Sequence, residues 1–275
     1  MRTGVRGKIF RVGLSGWALA LCATAGRGQE LKAALPDAPV ATVEGLPSAG
    51  QDVDITWKKL PERILHDQKE IWLFPEALAH GKYWVPTLAV TAGTAGLIAA
   101  DPHAMPYFRN HAGNLDDVND VFDGTITSAE IGIVPLALLA SGAIRHDAYA
   151  TKTGLLAGEA YVNATIVDLA IKVVTMRKRP SDVAAGGPFN DTFFNRGKSP
   201  VLGSSFPSGH PAQAFSVATV VAYRYRNHRW VPWVAYGLAT AISLSRVTTL
   251  KHFPSDIFVG AVLGYATTQF TALRH

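Results

Sequence analysis

Phe206-Pro207-Ser208-Gly209-His210 separates a loop rich in Gly, Pro, Asn and Asp (186–205) from an apolar helical run (212–223). A Ser-Gly-His turn that enters a helix directs backbone N–H groups and the positive end of the helix dipole at one spot. Such a spot suits an oxyanion such as phosphate. Gly209 permits close approach of the backbone, and His210 can exchange a proton near neutral pH. Taken alone, the pentapeptide also fits an ordinary Ser-capped helix that carries a histidine by chance.

The composition argues against a nucleic-acid partner. The 275 residues are 48% hydrophobic and 17% charged, with a mean hydropathy of +0.13 and a formal net charge of +5. Four of these positive charges lie in residues 1–25, which contain no acidic residue, so the remainder of the chain is nearly neutral. A nucleic-acid footprint needs a basic patch on the folded domain itself.

The N-terminus has the layout of an export signal. Residues 1–11 are basic, and residues 12–25 are apolar and end in Ala23-Thr24-Ala25. This pattern predicts a signal peptide or N-terminal signal anchor over residues 1–25. Cys22 is the only cysteine, so a chain that loses this segment has no disulfide or thiolate chemistry. We therefore expect export to a bacterial cell envelope.

The rest of the chain predicts an all-α fold with about six core helices. Residues 26–56 read as a linker, and residues 57–82 contain an amphipathic helical segment with one apolar side (Leu60, Ile64, Leu65, Ile71, Trp72). The main domain is expected at 83–275, with apolar runs at 83–100, 131–144, 154–174, 212–223, 231–244 and 257–270. The first run is predicted to end at Asp101-Pro102, before a polar loop over 101–127 whose acidic residues (114–123) lack a calcium-loop pattern.

The apolar runs favour a membrane-embedded bundle. Each charge-free run is about 12 to 18 residues long, at or just below the length that a bilayer requires. If the runs span, the basic loops 145–152 and 224–230 lie on the cytoplasmic side. The loops 175–207 and 246–256 then face the exterior or periplasm. A soluble periplasmic bundle is the alternative.

A second stretch with phosphate-binding chemistry ends the third apolar run. Lys172 and Arg179 are seven positions apart, so both project from one helix face if the helix continues to Arg179. Pro180 follows directly. A lysine supplies a point charge and an arginine a planar fork, and both suit phosphate oxygens. The alternative is a plain basic helix end.

A third stretch contains Ser245-Arg246, then His252, then Asp256. Asp256 is close enough in sequence to hydrogen-bond the imidazole and fix its tautomer. The other ring nitrogen would then be a base or a nucleophile. Pro254 predicts the start of the last helix, with Asp256 in its first turn. The alternative is that Asp256 is only a helix-start acid.

Together the three stretches resemble the type 2 phosphatidic acid phosphatase (PAP2) superfamily, which also contains bacterial class A acid phosphatases and vanadium haloperoxidases. Its signature is K-x6-RP, then PSGH, then SR-x5-H-x3-D. Every signature position is present with matching spacing: Lys172, Arg179, Pro180, Pro207, Ser208, Gly209, His210, Ser245, Arg246, His252 and Asp256. The resemblance covers residues 172–256.

The resemblance implies a PAP2-like helical fold and a metal-independent phosphohistidine mechanism. His252 would attack phosphorus, Asp256 would orient its ring, and His210 would protonate the leaving alkoxide and then activate water. Lys172, Arg179, Arg246, Ser208 and the Gly209 N–H would hold the phosphoryl oxygens. No metal or cofactor is expected, and vanadate is expected to inhibit as a phosphate mimic.

The expected substrate is a lipid phosphate or diphosphate, such as phosphatidate, phosphatidylglycerol phosphate or an isoprenyl diphosphate, hydrolysed at the outer face of the inner membrane. A soluble periplasmic acid phosphatase, a vanadium haloperoxidase and a non-catalytic phosphate-binding protein are the alternatives. The sequence leaves open the apolar part of the substrate, the role of residues 26–82 and the oligomeric state.

Overall fold

The computed structural model describes residues 54–112, 119, 124–195 and 203–274. All regular secondary structure in these ranges is helical: α1 Leu60–Trp72, α2 Phe74–Ala79, α3 Trp84–His111, α4 Gly124–Arg145, α5 Ala148–Thr175, α6 Gly209–Arg224, α7 Trp230–Thr248 and α8 Pro254–Phe270, with a 3₁₀ turn at Pro180–Asp182. The all-α prediction is confirmed, and α3 to α8 correspond to the six predicted core helices. The predicted signal at 1–25, the linker before residue 54 and most of the acidic stretch 114–123 lie outside the described residues.

Helix α6 occupies the centre of the bundle and packs against α4, α5, α7 and α8. Its buried apolar side chains join those of α5 in the main core, which includes Leu156 and Val220. Two glycines let α8 approach the α6 backbone. A Cβ at Gly264 would lie 2.1 Å from the Ala212 carbonyl oxygen, and one at Gly260 would lie 2.3 Å from the Ser208 carbonyl oxygen. Helix α8 therefore packs directly against the first turn of α6.

The two ends of the bundle differ in their chemistry. At one end, the Tyr149 hydroxyl donates to the Arg224 carbonyl, and the Arg224 guanidinium lies 3.9 Å from the centre of the Tyr149 ring. The basic segments 145–152 and 224–229 are therefore neighbours. The C-terminus of α5 and the N-termini of α6 and α8 meet at the opposite end, where the three motifs lie. The segregation of basic loops from motif loops agrees with the prediction.

Helix α3 continues well beyond its predicted end. The prediction of a polar loop from residue 101 is wrong for residues 101–111, because the helix passes through Pro102 and Pro106 to His111. Each internal proline removes a backbone hydrogen bond. Tertiary contacts of the same segment offset that cost: Asp101 is fully buried, and Arg109 donates to the carbonyls of the loop that follows α5. The extension brings α3 against the motif-bearing end of the bundle.

Helix α1 packs on the core through the partly buried Leu60 and on α5 through polar contacts. The Arg63 Nε donates to the buried Glu159 carboxylate at 3.0 and 3.2 Å. Leu65 and Trp72 are 73% and 52% exposed, so the prediction of one apolar side facing the core is wrong for these two residues. The reason is that the polar partners on α5 determine which side of α1 faces inward.

One segment of the described chain is long and apolar enough to cross a membrane. It is Ala148–Asp182, which contains α5 and the 3₁₀ turn, and 56% of its most apolar window is buried in the bundle. Large apolar side chains are also exposed to the outside on other helices: Val85, Leu88, Leu136, Ile144 and Trp233.

Candidate active site

The first motif leaves its helix before Arg179. Helix α5 ends at Thr175, and Met176 adopts a left-handed conformation (φ 42°) that turns the chain. The helix therefore does not continue to Arg179, which was the condition for Lys172 and Arg179 to share one helix face. Residues 177–179 form a loop segment that is hydrogen-bonded to a neighbouring loop. The Arg177 N–H donates to Ser204 Oγ, and the Arg177 carbonyl accepts from the Ser205 N–H.

Lys172 still reaches the second motif from the last turn of α5. Its ammonium group donates to the Asp168 carboxylate at 2.7 Å and to the carbonyl of Pro207. Asp168 also lies beside Gly209, where a Cβ would come within 2.9 Å of its carboxylate oxygen. Gly209 is therefore required for close packing at this point, and Asp168 fixes the buried cation.

Ser208 precedes α6 but does not cap it. Its N–H donates to the Asp256 carbonyl at 3.0 Å, and its carbonyl accepts from Ala212. Its hydroxyl makes no capping hydrogen bond, and within the described residues this fully buried oxygen has no hydrogen-bond partner. A buried hydroxyl without a partner is costly, and ordinary Ser capping does not explain it. The Ser208 hydroxyl is therefore suited to donate a hydrogen bond to a bound anion.

His252 lies in the turn between α7 and α8 and is almost fully buried. Its Nδ1 lies 2.6 Å from the Ser205 carbonyl, whereas the Asp256 Oδ2 is 3.7 Å away. Because a carbonyl can only accept, Nδ1 carries the proton and Nε2 carries the lone pair. The predicted direct hydrogen bond between His252 and Asp256 is therefore replaced by a hydrogen bond from Nδ1 to a backbone carbonyl, with the Asp256 carboxylate nearby.

The electrostatics keep this imidazole neutral. Burial lowers the pKa of His252 to about 4, Asp256 opposes that change, and the charges of Lys172 and Arg179 add to it. Burial alone would raise the pKa of Asp256, but the Arg177 charge and the hydrogen bonds from its neighbours hold it below its usual value. At neutral pH the site thus contains a neutral imidazole beside a carboxylate.

Asp256 stands in the first turn of α8, as predicted, and accepts hydrogen bonds on both oxygens. Oδ1 accepts from Arg177 Nη1 at 2.6 Å. Oδ2 accepts from the Phe253 N–H at 2.8 Å and from the Ser205 hydroxyl. These donors fix the carboxylate in one orientation.

The remaining predicted residues border the same region. The Arg179 Nε donates to the Gly203 carbonyl at 2.8 Å. Arg246, 1% exposed at the C-terminal end of α7, has Nε and Nη2 each 3.2 Å from Ser245 Oγ, and its carbonyl accepts from the His252 N–H. His210 lies in the first turn of α6. The contacts above join the three motifs at one end of the bundle.

Four residues that support this site were not predicted from the sequence: Asp101, Asp168, Arg177 and Ser205. Arg177 and Ser205 lie between or beside signature positions, where no spacing rule marked them. Asp101 was assigned to a loop. Among the described side chains there is no group of three or more His, Cys, Asp or Glu residues arranged to hold a metal ion.

Comparisons with known proteins agree with the motif analysis. Residues 153–275 match the PAP2 superfamily. The chain is 36% identical over 62 residues to the lipid A 1-phosphatase of Porphyromonas gingivalis, a match that covers 22% of this chain and 14% of that protein. It is 32% identical over 69 residues to the bacitracin transport permease protein BcrC of Bacillus licheniformis, covering 25% of this chain and 32% of that protein. The chain thus spans a minor part of each relative's length. No solved structure matches the chain.

Proposed function

We propose that this chain, which carries a PAP2 superfamily region over residues 153–275, is a phosphatase that works through a phosphohistidine intermediate. Two observations carry the proposal together: His252 is neutral and buried, and the buried hydroxyl of Ser208 has no hydrogen-bond partner among the described residues. The first is suited to attack phosphorus, and the second is suited to bind a phosphoryl oxygen.

In the first step, the lone pair on His252 Nε2 forms a bond to phosphorus while the bond from phosphorus to the leaving oxygen breaks. His210 donates a proton to that oxygen, so the alcohol leaves neutral. The proton on Nδ1 is shared with the Ser205 carbonyl, and Asp256 stabilises the positive charge that develops on the ring. In the second step, His210 takes a proton from water, the resulting oxygen nucleophile attacks phosphorus, and the nitrogen–phosphorus bond breaks.

Three cations would hold the phosphoryl oxygens: Lys172, Arg179 and Arg246. The Ser208 hydroxyl and the N–H groups at the start of α6 add neutral donors. Arg177 is excluded from this set because two buried carboxylates already occupy its guanidinium. This arrangement neutralises phosphate with side chains alone, which supports activity without a metal ion and inhibition by vanadate.

The proposed substrate is a lipid phosphate or diphosphate. One relative bears the name lipid A 1-phosphatase, and the exposed apolar side chains of α3, α4 and α7 suit a membrane. The motif-bearing end lies opposite the basic segments, which favours an active site on the exterior face of the inner membrane. Recovery with membranes after alkaline extraction is the expected outcome, and release into the soluble fraction would favour the soluble periplasmic phosphatase.

The test is phosphate release by the full chain, purified in mild detergent with EDTA present. The panel contains phosphatidate, phosphatidylglycerol phosphate, undecaprenyl diphosphate and p-nitrophenyl phosphate. We expect release that vanadate blocks and that is lost in His252→Ala, with an acid-labile phosphoryl group trapped on the wild-type protein only. A folded protein that releases no phosphate from any of the four would overturn the proposal. Halide oxidation in the presence of vanadate would instead indicate a haloperoxidase.

A further inference from the structure

We infer that Arg177 and Asp101 are positioning residues for the reaction: Arg177 fixes the Asp256 carboxylate beside His252, and Asp101 fixes Arg177. This inference rests on the phosphatase function proposed above. It extends the catalytic centre to α3, which lies outside the matched region 153–275.

The Arg177 guanidinium is held on every side. It is 1% exposed, and each of its three nitrogens has a partner. Nε donates to Thr192 Oγ1 at 3.1 Å, and Nη1 donates to Asp256 at 2.6 Å and to Ser255 Oγ at 2.7 Å. Nη2 donates to Asp101 at 2.7 Å. A guanidinium with this many fixed donors has one orientation, and so does the carboxylate that it binds.

Two aromatic rings lie against the same guanidinium. Its central carbon is 3.9 Å from the centre of the Phe253 ring and 4.4 Å from that of the Phe193 ring. Phe253 is the residue between His252 and the start of α8. The cation therefore packs against the turn that presents the histidine, as well as against the carboxylate that follows it.

Asp101 connects this arrangement to α3. It is fully buried, its Oδ1 accepts from the Ser255 N–H at 3.2 Å, and its Oδ2 accepts from the Ser255 hydroxyl and from Arg177. Arg177 thus shares one positive charge between two carboxylates. Without Asp101, that charge would act on Asp256 alone and would weaken the support that Asp256 gives to a protonated His252.

This sharing predicts opposite effects of two substitutions on the pKa of His252. Asp101→Asn leaves an uncompensated cation near the ring and should lower that pKa. Arg177→Met removes the cation and should raise it. A role limited to fold stability gives no reason for opposite signs. The other charged or titratable groups around His252 are unchanged in both variants: Asp256 of α8, Lys172 of α5, Arg179 of the following loop, Arg246 of α7 and His210 of α6.

The experiment measures kcat, KM and the acid limb of kcat/KM for the full-length wild type, Asp101→Asn, Arg177→Met and Arg177→Lys. We expect kcat to fall about 10- to 100-fold in Asp101→Asn and further in Arg177→Met, with KM changed less than about twofold. Arg177→Lys should recover part of the loss, because it retains the charge but not the fork. Activities are compared per folded molecule, using thermal unfolding to determine the folded fraction.

Glu159→Gln is the matched control. It also replaces a fully buried acidic side chain that pairs with an arginine by its amide, but that arginine is Arg63 on α1. We expect Glu159→Gln to lower the unfolding temperature while kcat and the acid limb stay at wild-type values. An Asp101→Asn variant that behaves in the same way would overturn the inference, whether or not Arg177→Met folds.

A second readout does not depend on activity. In protein labelled with ¹³C-histidine, the His252 resonance is assigned by its loss in His252→Ala and titrated in each variant. If the wild type releases no phosphate, the proposed function fails, yet opposite shifts of the His252 pKa still support the positioning by Arg177 and Asp101. Shifts of the same sign, or no shifts, contradict it even in an active enzyme.

Discussion

Ser208→Ala is expected to reduce activity without reducing stability. The hydroxyl is fully buried and has no hydrogen-bond partner among the described residues, and the backbone bonds of Ser208 do not depend on its side chain. Replacing a helix N-cap serine usually costs about 1 kcal/mol, but that cost arises from a capping bond that Ser208 does not make. We therefore expect the free energy of unfolding to stay constant or to rise by up to about 1 kcal/mol, because an unsatisfied buried group is removed.

The expected loss of activity follows from the bond that the hydroxyl would make to a phosphoryl oxygen. A hydrogen bond to a charged group contributes about 1.5 to 3 kcal/mol. Since 1.36 kcal/mol corresponds to a factor of ten in rate, kcat/KM should fall about 10- to 150-fold. The decrease should appear in kcat if the bond strengthens as charge builds on phosphorus.

The comparison variant is Ser205→Ala, which removes the same hydroxyl from an equally buried serine three residues earlier. This hydroxyl donates to Asp256, so its removal should lower the free energy of unfolding by about 1.5 to 3 kcal/mol. The assays are urea unfolding and phosphate release by both variants. Our explanation would be refuted if Ser208→Ala destabilised the protein as much as Ser205→Ala while its activity remained at the wild-type level.

Three further predictions concern other parts of the site and its support. Because the pKa of His252 is lowered to about 4 from an ordinary 6.5, the unfolded chain binds more protons than the folded chain between these values, so the free energy of unfolding should decrease by roughly 3 kcal/mol as pH falls from 6.5 to 4. His252→Asn should remove that part of the pH dependence in urea titrations, and an unchanged slope would contradict the assignment. Gly264→Ala should destabilise the protein by about 1 to 3 kcal/mol in thermal or urea unfolding, because its Cβ would meet the α6 backbone. In Gly158→Ala, where the added Cβ meets open space on α5, the free energy of unfolding should rise by about 1 kcal/mol. Equal effects of Gly264→Ala and Gly158→Ala on stability would refute the packing argument. Asp168→Asn should lower kcat/KM about tenfold, because Lys172 loses the carboxylate that orients it, and activity at the wild-type level would show that the Pro207 carbonyl alone suffices.

Local patterns in the sequence were sufficient to predict the helical fold and to locate the signature residues. Apolar runs separated by Pro, Gly and polar clusters predicted the six core helices, because each run must bury one side against its neighbours. The start of α8 at Pro254, with Asp256 in its first turn, also followed from local rules. Residues within one turn of each other are held together by the helix itself, so short spacings carry reliable information.

The same reasoning failed where distant contacts outweigh local preference. Asp101-Pro102 and the polar residues after it predicted a loop, but Asp101 and Arg109 anchor that segment to the site and keep it helical. Leu65 and Trp72 signalled a core-facing stripe on α1, but the polar partners on α5 turn those residues outward.

The sequence by itself determined where the signature residues lie, and the tertiary structure decided what holds them in place. Spacing identified His252 and Asp256, yet the Nδ1 partner of the histidine is the carbonyl of Ser205, 47 residues earlier in the chain. The partners of Arg177 are Asp101 and Asp256, which are 76 and 79 residues away. Contacts over such distances depend on how whole helices pack, because a helix period relates only residues a few positions apart.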